Sequence, residues 1–119
     1  VDLTNGYLNC IWQGDANEIA IRSLLHTSTP PKLLNVTGPE TISIKQVAQK
    51  FGYLLGINPV FINEPEPNVL LNNASLCHKL FGYPKVTLQT MIEMTAQWIQ
   101  QDGETLNKPT HFQEREGKF

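Results

Sequence analysis

The residues best suited to chemistry are few and scattered. The stretch "NVTGPETISIKQVAQKFG" (35–52) has the strand–turn–helix layout of a phosphate-cradling loop. A P-loop would end a glycine-rich run in Gly-Lys-Ser/Thr, and a dinucleotide fold would place GxGxxG between strand and helix. Here Gly38 stands alone, Pro39 removes a backbone donor, and Glu40 sets a negative charge where phosphate would sit. The turn is not expected to hold a nucleotide. His26, His78 and His111 are far apart, and none has a second ligand at metal spacing, so they read as surface or interface side chains. Ser23, Ser28, Ser43 and Ser75 lack a GxSxG context. Glu64 and Glu66 could bring two carboxylates into one cleft as an acid–base pair, with a solvated loop as the alternative. Trp12 and Trp98 read as core or interface aromatics. No group of residues makes an active site alone.

The elements that must position these residues fit one domain. The chain has 119 residues, enough for a single hydrophobic core. Hydrophobic residues make up 40% and charged residues 17%, a low charge content that suits a surface partly covered by something else. A net charge of −2 with dispersed lysines and arginines lacks the basic stripe of a nucleic-acid binder. Cys10 and Cys77 show no CxxC spacing. They read as buried thiols in a reducing cytoplasm, although a disulfide is possible on paper. No apolar run reaches the roughly 18 residues of a membrane span. No signal-peptide pattern is present and the first residue is Val1, so a piece of a longer protein is expected, with a processed product as the alternative.

Along the chain, "GYLNCIWQ" (6–13) reads as a strand. A helix follows, with Asp15 and Glu18 at capping-box spacing and Ala16, Ile19, Ala20 and Leu24 on its buried face. Pro30 and Pro31 end it. "KLLNVT" (32–37) reads as a second strand. Ser43 and Gln46 then cap a helix with Ile44, Val47, Ala48, Phe51, Leu54 and Leu55 inward and Gly56 as its stop. "NPVFIN" (58–63) reads as a third strand, and "EPEPNV" (64–69) as a proline-broken acidic loop. Asn73 opens a short helix carrying Leu76, Leu80 and Phe81, closed by Gly82. Thr87 caps a last helix with Leu88, Met91, Ile92, Thr95, Trp98 and Ile99 on one face. The polar tail from residue 105, with Phe112 and Phe119, suits a small hairpin or fold-over arm. The order strand–helix–strand–helix–strand predicts an α/β fold: a small three-layer unit with a short, mostly parallel sheet and about four helices.

Three motifs together resemble a known family. They are "IWQGDANEIAIRSL", the strand and helix from Asn35 to Ala48, and the run from Leu80 to Trp98. This order is similar to the C-terminal half of extended short-chain dehydrogenases/reductases, the NAD-dependent epimerase/dehydratase family. The tail "GETLNKPTHFQEREGKF" is similar to the ending of one subgroup of it. The resemblance implies that residues 1–119 are one C-terminal substrate-binding segment whose Rossmann half lies outside this chain. NAD(P) is implied for the parent and no cofactor for this chain. The family's Tyr-x-x-x-Lys pair has no counterpart, because Tyr7, Tyr53 and Tyr83 are followed four residues on by Ile11, Ile57 and Thr87. Carboxylates stand in "NEPEPN" where sugar-nucleotide members carry an arginine, which argues for a smaller substrate such as a free sugar or sugar acid. Asn9, Glu64, Glu66 and Asn68 are the expected substrate-wall residues. The competing reading is a stand-alone interaction or small-ligand module without catalysis. Either reading expects self-association through surface left by a missing half.

Overall fold

A computed structural model describes residues 1–69 and 71–108. The expected tail hairpin, with Phe112 and Phe119, lies outside the described residues from Pro109 onward, as does His111. The chain is a small α/β unit. Its described residues form four α-helices: α1 (Gln13–Ser23), α2 (Ile44–Leu55), α3 (Ser75–Phe81) and α4 (Leu88–Gln100). They also form a two-stranded sheet of β1 (Tyr7–Leu8) and β2 (Ile42–Ser43). A 3₁₀ turn, Leu24–His26, extends α1.

The sheet is antiparallel, with Tyr7 opposite Ser43 and Leu8 opposite Ile42, which corrects the expected mostly parallel arrangement. The parallel element is a single bridge between Asp2 and Ile62. Two of the three expected strands are therefore not ladder strands. Residues 32–37 form no bridge, and 58–63 forms a single bridge to the N-terminal segment, at Ile62, flanked by bonds from Val1 to the Val60 carbonyl and from Asn63 to the Asp2 carboxylate. The reason is local. The backbone of residues 1–10 changes neighbour partway along, Leu3 donating to the Ile62 carbonyl and the Gly6 carbonyl accepting from Ile44, both at 3.0 Å. Gly38 in turn donates to the Cys10 carbonyl at 3.0 Å. The first ten residues thus form a spine, with segment 60–66 beside its start and segment 38–44 beside its end.

The strand-like alternation survives without a full ladder. Leu34 and Val36 pack against Ile19, Ala74 and Cys77, the cluster that joins α1 to α3. Cys77 is 0% exposed and is the centre of that cluster. On the other side of the spine, α2 packs against β2 and α4 packs against α2, with Ile42, Ile44, Ile92 and Ala96 buried. The core is thus two small clusters on opposite faces of residues 8–11.

Helix ends follow their chemistry, with one correction. The Ser43 hydroxyl accepts from the Gln46 amide, and the Thr87 hydroxyl accepts from the Thr90 amide. Gly56 ends α2 with φ 68°, a left-handed conformation that costs glycine nothing. Asn73 accepts from the Ser75 amide and hydroxyl at the start of α3. Asp15, however, is not a cap. The first helix begins earlier, after Trp12, and Asp15 sits in its first turn with its carboxylate accepting from the distant Val86 amide at 2.9 Å. The expected buried face of α1 is also shorter, since Ala20 is exposed and Leu24 is 70% exposed. Among the described residues no helix is long and apolar enough to cross a membrane.

Glu18 ties α1 to the loop before α4. Lys85 Nζ donates to it at 2.6 Å and Arg22 at 3.3 Å, and the Lys85 bond chiefly holds the carboxyl below its ordinary range. Because the folded pKa lies below the unfolded one, this contribution is present above the unfolded value and is lost as pH falls through the folded one. The urea midpoint is expected to drop as pH falls below about 4. Glu18→Gln should flatten part of that drop, by a small amount because the pair is exposed. An unchanged acid limb in Glu18→Gln would remove this link from the account.

Candidate functional site

The site is a cleft of about 410 Å³ where three parts of the chain meet. The spine contributes Asn9, the turn after residue 37 contributes Gly38, Pro39 and Thr41, and the start of α3 contributes Leu71 to Ser75 with His78. Tyr83, just past α3, completes the wall. The volume lies in the lower part of the range of about 300–1,000 Å³ usual for small-molecule sites.

The cleft is held by backbone-directed amides. Asn9 Nδ2 donates to the Asn72 carbonyl at 2.7 Å, while Asn9 Oδ1 accepts from the Asn72 amide at 3.3 Å. One side chain thereby clips segment 71–73 to the spine in the manner of a strand pair. Asn35 Nδ2 adds a bond to the Asn73 carbonyl at 3.2 Å. His78 Nε2 lies 3.0 Å from the Thr37 carbonyl. A carbonyl can only accept, so Nε2 carries the hydrogen, and Nδ1 is the acceptor of the neutral ring. The imidazole packs against the Tyr83 ring, with centroids 4.9 Å apart and planes inclined at 37°.

Of the expected substrate-wall residues, the structure brings only Asn9 to this cleft, and there both ends of its amide are engaged by Asn72. Glu64, Glu66 and Asn68 lie on the exposed loop near the other end of the spine, where the Glu66 amide donates to the Thr4 carbonyl at 3.2 Å. They do not line the cleft. Sequence reading did not single out Asn72, Asn73 and His78 as site residues. The consecutive amides of "NNAS" were a usable cue, but their nearness to the turn at 38–41 depends on the Asn9 clip. That turn, unsuited to phosphate, nevertheless supplies three lining residues.

The turn does not fit the pyrophosphate of a dinucleotide. The Gly38 amide is already donated to Cys10, Pro39 has none, and Glu40 carries the wrong charge. Among the described residues no group of histidine, cysteine, aspartate or glutamate side chains is arranged to hold a metal ion. Cys10 and Cys77 are both free thiols. Burial pushes each thiol upward, and the nearby Glu40 carboxylate adds to the effect at Cys10. Neither is an activated nucleophile.

A second, apolar groove of about 330 Å³ runs between α2 and α4, floored by Leu8, Cys10 and Ile42. A third feature is the exposed apolar set Ile21, Leu24, Leu25 and Leu33 along the end of α1 and the segment after it, with Leu25 87% and Leu33 91% exposed. No protein-family model matches this chain, and neither a curated protein nor a solved structure does so.

Proposed function

We propose that this chain is the substrate-side, C-terminal portion of an NAD-dependent epimerase/dehydratase-like oxidoreductase, acting on a sugar or similar small polar substrate and inactive alone. The observation that carries the reading is the cleft between Asn9, the Gly38 turn and α3, which is lined by hydrogen-bonding groups and carries no Asp, Glu, Lys or Arg. That composition suits a surface that recognises a substrate while other residues transform it. The motif order from Asp15 through Trp98 supports the family, within the extended short-chain dehydrogenase/reductase fold. NAD(P) would be held by the Rossmann half of the parent, and no catalytic step is assigned to residues of this chain. The exposed Ile21, Leu24, Leu25 and Leu33 suit contact with that half or with a second copy. The free thiols suit a cytoplasmic location.

The same apolar set favours a second reading, a stand-alone interaction or small-ligand module without catalysis. Sequencing the coding DNA upstream of Val1 separates the two. A glycine-rich dinucleotide motif and a Tyr-x-x-x-Lys pair are expected there. An in-frame stop followed by a fresh start site would sink the oxidoreductase reading. Calorimetry with NAD on the 119-residue chain is expected to show no heat of binding. Micromolar affinity would mean that the division of labour proposed here is wrong.

A further inference from the structure

We infer that the cleft selects an uncharged, hydroxyl-rich ring, held with one face against Tyr83, and discriminates against carboxylates and phosphates. This rests on the reading of the cleft as the substrate site, and it narrows the substrate class within that reading.

Charge is the first argument. None of the lining residues is Asp, Glu, Lys or Arg. An anion entering would shed water with no lysine or arginine to meet it, a cost that neutral hydroxyls avoid. Glu40 stands between the lining residues Pro39 and Thr41 in sequence, and its field is felt at Cys10, the spine residue to which the turn is bonded.

The hydrogen-bonding pattern is the second argument. Asn73 Oδ1 is already engaged by Ser75, which leaves Asn73 Nδ2 as a donor. His78 Nδ1 offers an acceptor because Nε2 faces the Thr37 carbonyl. Thr41 and Tyr83 bring hydroxyls that both donate and accept. Mixed donors and acceptors match sugar-like hydroxyls, each of which also does both, better than they match an acceptor-only carboxylate.

The third argument is shape. Tyr83 is 71% exposed, yet its ring is backed by the imidazole of His78, itself tethered to the Thr37 carbonyl. A flat, exposed and supported ring is the platform on which the apolar C–H face of a saturated ring packs.

Titrating the isotopically labelled 119-residue chain with glucose, galactose, mannose, glucuronate and glucose 6-phosphate tests this by amide chemical shifts. At least one neutral hexose is expected to give saturable shifts at Asn72, Asn73, Ser75 and His78. The two anions should bind more weakly by about tenfold or more, reflecting an unpaired charge. Tyr83→Ala, at an exposed position, should keep the folded spectrum and weaken the hexose by about tenfold, whereas Tyr83→Phe retains the stacking face and most of the binding. Tighter binding of an anion at these same amides would overturn the inference while leaving the cleft as the substrate site. Unchanged affinity in Tyr83→Ala would overturn the stacking arrangement. Silence at these amides with every sugar would overturn both the inference and the reading beneath it.

Discussion

Ile92→Ala is expected to destabilise the chain by about 3 kcal/mol, within the range for truncating a buried isoleucine. Ile92 is 3% exposed on α4 and lines the apolar groove together with residues of β1, β2 and α2. Removing three carbons there withdraws apolar surface from packing and joins the new void to a groove already open to solvent. The loss matters because the core is thin. Few of the large side chains on α2 and α4 are buried, with Ile44 and Ile92 the principal ones. Against a typical total of about 5–15 kcal/mol, one such truncation is a large fraction. Urea unfolding followed by circular dichroism checks it, with Ile99→Ala as the control. Ile99 lies on the same helix but is half exposed, and should cost under about 1 kcal/mol. Equal losses at the two positions would show that the α2–α4 cluster is not the stabilising contact described.

Gly38→Ala is expected to cost about 2–3 kcal/mol, combining overpacking against backbone with a weakened buried hydrogen bond. A Cβ on Gly38 would fall on the Cys10 carbonyl oxygen, the same atom that accepts from the Gly38 amide. Backbone cannot swing aside as a side chain does, so the turn must move away from the spine. That movement also displaces Pro39 and Thr41 from the cleft wall. Amide exchange at residue 38 should therefore accelerate in the variant, alongside the fall in urea midpoint. Gly56→Ala is an instructive contrast. A methyl there meets open space, and the cost of about 1 kcal/mol comes from its positive φ alone. A Gly38→Ala variant as stable as the parent would refute the close approach.

The two glycines illustrate how unevenly the chain could be read beforehand. Gly56 follows a run of helix-spaced apolar residues, so its role as a stop was evident from order alone. Gly38 precedes a proline and was legible as a turn, but its contact with Cys10 joins residues 28 positions apart in sequence (38 − 10). Asp15 is a similar case. Its spacing to Glu18 is that of a capping box, yet the Val86 amide claims its carboxylate instead. Local spacing cannot anticipate a competing donor that arrives through the fold.

What the amino-acid order determined by itself is the set of helices, their caps at Ser43 and Thr87, and the alternation that sends Leu8 and Cys10 to one side of the spine and Ile11 to the other. These depend on neighbours within about one helical turn or two strand positions, where backbone geometry dictates which side chains meet. Only the tertiary structure decided the direction of strand pairing and the position of the cleft. Both follow from hydrogen bonds between distant amides and carbonyls, and such groups are alike at every residue. A run of β-favouring residues such as 32–37 can supply an inward face to the core without joining a sheet. The cleft arises in the same way. Asn9 binds the backbone of Asn72 and thereby brings the start of α3 beside a turn that residue order alone places far from it.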